Sequence, residues 1–455
     1  MITSNETMGP RASQVYWNVR KSSLTLVFLT PLVFPFPNGQ ISMKLWRNTL
    51  WNMLGLIVPS IIALPAMGFM ARILGVEEFG LFMLAFSLLG YASIFDGGMT
   101  RAVIHAVAIN NGNLEKDRQV LGTATWTVLS LSILVGVLMF YFSENVIGWL
   151  NVSINASDEA TQAFEYLALV VPPTLLGMVW FSYPEGRQQF AKLNIYKTIS
   201  GSLVALLPAL ALYWEANLVN AILGLLLARI LNLGLAFILC YSGLGGLFFS
   251  FKLQVLKTLL SFGSWITLSN IVSPLMVYAD RFILSSTLGA SRVAFYTAPA
   301  EAVARMGIVP GALAKVLFPF FSGNRGDTLR VASQAYKGLL LTSIVMVLPV
   351  FLLAEMILQL WLGEPYGQES ANILRILLIG FLFNSLAQIP FARIQAHGKS
   401  KLTAMIHLAE FIPYMVILGG FVYFWGLHGA AIAWALRVAV DFVVLEHFSR
   451  KLERC

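Results

Sequence analysis

Long apolar runs alternate with short polar gaps along this chain, and the gaps are sorted by charge. Twelve runs fall near 46–71, 78–98, 119–142, 162–183, 198–214, 218–241, 258–279, 293–318, 338–354, 371–392, 402–424 and 427–447. Each is long enough to cross a hydrocarbon core as a helix, the form that keeps backbone hydrogen bonds internal in lipid. Most loop Lys and Arg occupy every second gap: Arg101, Lys116 and Arg118; Arg187, Lys192 and Lys197; Lys252 and Lys257; Arg325, Arg330 and Lys337; Arg393, Lys399 and Lys401; Arg450, Lys451 and Arg454. The alternate gaps hold only Arg72, Arg281 and Arg292, and two are acidic, at Glu144, Asp158 and Glu159 and at Glu355, Glu364 and Glu369. Basic segments cross a membrane poorly during insertion, so basic gaps are cytoplasmic. The pattern predicts an even number of spans with both termini in the cytoplasm.

Composition agrees. The chain is 58% hydrophobic and 11% charged, against about 25% charged for soluble domains. An all-α polytopic membrane protein is expected. The net charge of +8 is accounted for by the sorted loops; without a basic-aromatic segment, no nucleic acid is expected as a partner. The two cysteines, Cys240 and Cys455, form no disulfide framework, and the five histidines are scattered without zinc-site spacing, so no metal is expected. Nothing matches a P-loop, a dinucleotide fingerprint or a nucleophile elbow, so neither enzyme chemistry nor a cofactor is expected.

Residues 1–42 stand apart. Their one apolar run, Leu24 to Pro37, is short for a span and holds three prolines. They read as an N-terminal extension, either disordered or preceding a true start at Met43. Residues 43–250 and 251–455 then form two six-helix lobes. An internal repeat supports this division. A shift of 214 residues carries Trp51 onto Trp265, Leu74-Gly75 onto Leu288-Gly289, and Phe79-Gly80-Leu81-Phe82 onto Val293-Ala294-Phe295-Tyr296. Six spans per half makes the repeats parallel, the design of transporters whose bundles rock about a central site. Prolines at Pro59, Pro65, Pro172, Pro173, Pro299, Pro310 and Pro319 mark kinks or hinges.

Ionisable residues at membrane depth are costly and face a partner or a cavity. Arg229 lies in the sixth span with no carboxylate near it in sequence, which makes it a candidate for an anionic ligand. Glu301 and Arg305 in the eighth span, and Arg437 and Asp441 in the twelfth, have the i,i+4 spacing of self-neutralising pairs. Lys315 follows in the eighth span. His407 and Glu410 share the eleventh and, with Glu301 and Asp441, are candidates for cation or proton coupling.

The stretch Arg72-Ile-Leu-Gly75-Val-Glu-Glu-Phe79-Gly80-Leu, followed by Phe95-Asp96-Gly97-Gly98-Met-Thr-Arg101-Ala102, resembles the N-terminal signature of Wzx-type polysaccharide-export flippases of the MATE-like (MOP) superfamily. Ser261-Phe-Gly263-Ser-Trp265-Ile-Thr-Leu-Ser269-Asn270, Asp280-Arg281-Phe, Leu288-Gly289, Tyr296-Thr-Ala-Pro299 and Leu317-Phe-Pro319 resemble its second half. The family pattern matches best at Asp96, Arg101, Asp280 and Arg281. The resemblance implies two lobes about a cationic cavity. It also implies transport of undecaprenyl-diphosphate-linked oligosaccharide across the bacterial inner membrane for O-antigen, capsule or exopolysaccharide synthesis, beside a polymerase and a chain-length regulator. On position alone, Arg229, Arg305 and Lys315 are the expected diphosphate ligands, because guanidinium pairs with phosphate in a forked geometry. One alternative is a cation-coupled multidrug exporter of the same fold, against which stands the basic excess of Arg229, Arg305, Lys315, Arg375 and Arg437. Another is a polysaccharide polymerase or ligase, against which stands the small outside loop at 143–161.

Overall fold

The computed structural model describes residues 43–92, 94–96, 98–110, 112–322 and 328–454. The N-terminal extension 1–42, Gly97, Arg325 and Cys455 lie outside the described residues, as do the side chains of Trp51, Trp265, Ser269, Asn270, Pro319 and Arg330. The described chain is helical: α1 (Met43–Ala92), α2 (Met99–Ile109), α3 (Leu114–Tyr141), α4 (Ser143–Trp149), α5 (Ile154–Gly186), α6 (Phe190–Ala211), α7 (Leu218–Leu244), α8 (Leu253–Leu288), α9 (Ala290–Met306), α10 (Ile308–Ser322), α11 (Thr328–Leu352), α12 (Ala354–Leu362), α13 (Glu364–Ala396) and α14 (Ser400–Arg454). Among the described residues, 8 helices are long and apolar enough to cross a membrane. Exposed Leu134, Val137, Ile238 and Val416 present apolar surface outward, as lipid-facing positions do.

Two of these helices each hold two expected spans, divided by a glycine. Gly75 (φ 75°) bends α1, and Gly426 (φ 56°) bends α14. A side chain is strained at such angles, which is why glycine stands there. Pro59 and Pro65 lie inside α1 away from that bend. The expected eighth span is broken instead of continuous: α9 ends at Met306 and α10 begins at Ile308. Pro310 accounts for the break, because it has no N–H for the Met306 carbonyl and its ring crowds that oxygen. The gaps after the second, third and ninth spans also carry short helices, α2, α4 and α12.

The repeat extends beyond the sequence matches into the helix order. Gly75 corresponds to Gly289 (φ 90°), which separates α8 from α9. The short helix α4 ends before Asn151 (φ 53°), and its counterpart α12 before Gly363 (φ 113°); α5 ends before Gln188 (φ 56°), and its counterpart α13 before Gly398 (φ 72°). Within the first half α5 packs on α3 and α7, and α1 on α6; within the second, α13 packs on α14, α12, α11 and α10. The halves meet where the second rod of α1 lies along α9, two equivalent helices of the repeat. Gly80 permits the close approach, since a Cβ there would stand 2.6 Å from the Ala290 carbonyl oxygen. Phe79, Leu81, Leu84, Ala290, Val293 and Ala294 are buried along this seam.

Gly75→Ala tests the bend without a steric clash, because nothing lies within 4 Å of its Cβ position. It is expected to cost about 1–3 kcal/mol through backbone strain alone. Gly419→Ala, equally uncrowded but inside a straight rod, should stabilise by about 0.5–1 kcal/mol. Thermal unfolding in detergent separates the two; equal melting temperatures would contradict the bend.

Candidate functional site

A charged cluster joins the halves partway along α9. Glu301 lies twelve residues beyond Gly289, about 18 Å along α9 at 1.5 Å per residue, within a hydrocarbon core of about 30 Å. Its Oε1 accepts a hydrogen bond from Arg281 Nη2 of α8 at 2.7 Å, and its Oε2 stands 3.7 Å from Arg305 Nη2, one turn further along α9. Arg281 is buried, and its other fork atom, Nη1, donates to Ser87 Oγ of α1 at 2.6 Å. The guanidinium also lies over the Tyr278 ring, 5.0 Å from its centroid. On the far side of α9, Asp280 accepts from the Tyr296 hydroxyl at 2.5 Å and from the Arg281 backbone N–H at 2.8 Å. Two guanidinium groups thus face two carboxylates, with Glu301 shared between both arginines.

This cluster borders two cavities. One, of about 220 Å³, lies between the halves: Pro59, Met67, Met70, Phe86 and Pro208 line it from the first half, Glu301 and Arg305 from the second. Arg305 Nε is buried there without an acceptor among the described residues. The other, of about 90 Å³, lies within the second half, beside Asp280, Arg281, Tyr296 and Asn384.

The halves are also docked reciprocally, each short helix onto the opposite half. Arg72 donates to the carbonyls of Gln359 (3.5 Å) and Leu360 at the end of α12, and Trp361 Nε1 donates to the Leu64 carbonyl at 2.6 Å. Beyond α4, Ser285 Oγ donates to the Leu150 carbonyl at 2.6 Å, and the Ala290 N–H to the Asn151 carbonyl at 3.4 Å.

A family model for polysaccharide biosynthesis protein matches residues 45–325. The chain belongs to this family. A candidate O-antigen transporter of Shigella flexneri is 40% identical over 410 residues, 89% of this chain and 97% of that protein. The succinoglycan biosynthesis transport protein ExoT of Rhizobium meliloti is 26% identical, over 87% of this chain and 72% of its own length. The lipopolysaccharide biosynthesis protein WzxC of Escherichia coli is 24% identical, over 87% and 77%. Among solved structures, an inward-facing MATE multidrug transporter of the MOP superfamily superposes with a TM-score of 0.72 at 17% identity, covering 88% of this chain and 97% of that one. The lipid II flippase MurJ in an inward closed conformation superposes with a TM-score of 0.74 at 15% identity, covering 88% and 87%. The Wzx-type resemblance and the MATE-like fold therefore hold, and the protein is a multi-pass membrane protein.

The family positions play distinct roles here. Asp280 and Arg281 belong to the central cluster. Asp96 instead shapes the entry to α2, accepting from the Gly98 N–H at 2.7 Å and the Thr100 N–H at 3.3 Å, and Arg101 is exposed on that helix. The three cations expected to share a diphosphate are placed on three different helices. Arg305 lines the cavity between the halves; Arg229 and Lys315 line neither cavity. Arg229 sits half-buried on α7, its Nε enclosed without an acceptor among the described residues, and Lys315 is exposed on α10. The Glu301–Arg305 pair forms as its spacing suggests, but Arg437 and Asp441 do not pair. Asp441 meets His407 at 3.5 Å, while Arg437 lies over the Tyr414 ring, 5.3 Å from its centroid. Glu410 has no hydrogen-bond partner among the described residues and lines, with Tyr414 and Arg437, an apolar groove of about 470 Å³ between the two rods of α14. Sequence reasoning missed Ser87, an inconspicuous hydroxyl in an apolar run, and placed Arg281 in a loop; the Asp-Arg dipeptide was the available signal.

Arg281→Met strands Glu301 beside a single, longer contact and should cost about 3 kcal/mol. Tyr296→Phe removes one hydrogen bond from Asp280 and should cost about 1 kcal/mol. Both are measured by thermal unfolding in detergent, and an Arg281→Met protein as stable as wild type would contradict a buried ion-pair cluster.

Proposed function

We propose that this protein moves undecaprenyl-diphosphate-linked oligosaccharide from the cytoplasmic to the periplasmic leaflet of the bacterial inner membrane, for O-antigen, capsule or exopolysaccharide assembly. The observation that carries this reading is the 40% identity, over nearly its full length, to the candidate O-antigen transporter. The site supports it chemically. Arg305 faces a cavity between the halves with an open Nε, and Arg281 stands beside it across Glu301. Guanidinium is the side chain suited to phosphate oxygens. No bond is made or broken in such a step, so the protein acts as a transporter and not as an enzyme. A polymerase and a chain-length regulator would act on the product in the periplasm.

The charge-sorted loops give the direction. With basic gaps in the cytoplasm and both termini on that side, the reciprocal docking of α4 and α12 lies on the periplasmic face. That face is closed here, and the headgroup enters from the cytoplasmic side. The cavity of about 220 Å³ is smaller than the roughly 300–1,000 Å³ of ligand pockets. It receives a headgroup, and the glycan passes once the halves move apart. Arg72, Trp361 and Ser285 hold that gate through hydrogen bonds that an outward-open state exchanges for water. The lipid tail stays in the bilayer. A multidrug exporter of organic cations is disfavoured because the Glu301 carboxylate that a cation would meet in this cavity is already engaged by Arg281 and Arg305.

In a deletion strain, surface glycan should disappear and undecaprenyl-linked oligosaccharide should accumulate on the cytoplasmic leaflet. Arg305→Ala should lower complementation at least about tenfold, the loss of a charge-assisted phosphate contact. Units that reach the periplasm but remain unpolymerised would overturn the proposal in favour of a polymerase. Unchanged glycan would turn attention to drug export.

A further inference from the structure

Arg281 and Arg305 already hold an anion. Glu301 places one carboxylate oxygen on each guanidinium, and the two contacts are unequal: 2.7 Å to Arg281 and 3.7 Å to Arg305. Arg281 is also anchored through Ser87 and Tyr278, whereas Arg305 has, among the described residues, only this long contact and a 3.9 Å approach to Met67 Sδ. The anchored arginine keeps the carboxylate; the loosely held one is open to exchange. Resting on the diphosphate reading above, we propose that Glu301 is a built-in competitor for the headgroup and sets its charge requirement. The carboxylate carries one negative charge. A phosphodiester-linked sugar also carries one, so it gains little by displacing Glu301 from Arg305 and meets the repulsion of the carboxylate. A diphosphate linkage carries one charge on each phosphate. It can occupy Arg305 with one phosphate and compete at the Arg281 side with the other. Glu301 thus selects diphosphate-linked over monophosphate-linked glycolipids and keeps the cavity neutral between substrates.

The test uses the full-length protein in nanodiscs with two probes, an undecaprenyl diphosphoryl sugar and the corresponding undecaprenyl phosphoryl sugar. Wild type should prefer the diphosphate. Glu301→Gln keeps the side-chain shape and removes the competing charge. It should tighten binding of the monophosphoryl lipid by about tenfold, the scale of one charge-assisted contact, and narrow the preference. Arg305→Ala should weaken binding of both lipids. A Glu301→Gln protein that melts with wild type and keeps the wild-type ratio of affinities would overturn the proposal. If Glu301→Gln is unstable, Glu301→Asp carries the test: its shorter carboxylate cannot reach both arginines, so an intermediate preference is expected and an unchanged one overturns the idea. Binding of the diphosphate by wild type with no preference over monophosphate would overturn the proposal alone. Binding of neither lipid would overturn it together with the diphosphate reading.

Discussion

A guanidinium buried at hydrocarbon depth must be paired and hydrogen-bonded, because an uncompensated charge there costs several kcal/mol. Arg281 meets this constraint through its two Nη atoms and its ring face, with partners from three helices: Glu301 on α9, Ser87 on α1 and the Tyr278 ring on its own α8; its Nε has no acceptor among the described residues. Ser87 belongs to the first half, so the arginine's requirement also fixes how the halves lie against each other. Gly80 lets the second rod of α1 come close enough to α9 for that hydrogen bond to form. Asp280 and Tyr296 complete the cluster behind α9. Moving any one of these helices separately would leave a charge or a carboxylate without its partner.

The same geometry makes the assembly suited to switching. Each half is tied internally by long packed helices, while among the described residues the polar ties between the halves number few and fall mostly on main-chain carbonyls. Arg72 and Trp361 reach from one side of the repeat, and Ser285 and the Ala290 N–H from the other. Individual hydrogen bonds contribute about 1 kcal/mol net, so a headgroup that binds one arrangement better by a few such contacts can shift the balance.

Much of the architecture was legible in the order of apolar runs. Ten of the expected spans overlap the helices long and apolar enough to cross a membrane, because hydrocarbon forces apolar length and internal hydrogen bonding at once. The Leu-Gly recurrence at 74–75 and 288–289 marked two positive-φ glycines, since only glycine tolerates that turn between rods. The break at Gly307 falls where Pro310 had marked the eighth span for a kink or hinge, although the sequence alone did not say that the helix would divide there. The site was less legible. The spacing of Glu301 and Arg305 announced their contact, but the same spacing at Arg437 and Asp441 was misleading, because Asp441 turns to His407 and Arg437 to an aromatic ring. Arg229 stood out for lacking a sequence neighbour, yet neither cavity beside the cluster reaches it. Arg281, taken for a loop residue, proved central because α8 runs on to Leu288.

The most direct measurement is transbilayer movement of an undecaprenyl-diphosphate-linked oligosaccharide in liposomes containing only the purified protein, read by access of an impermeant glycan-cleaving enzyme. Wild type should render the inner-leaflet glycolipid accessible, and Arg305→Ala should return movement to the rate of protein-free liposomes. Movement by Arg305→Ala at the wild-type rate would contradict a headgroup held at the cluster between the halves.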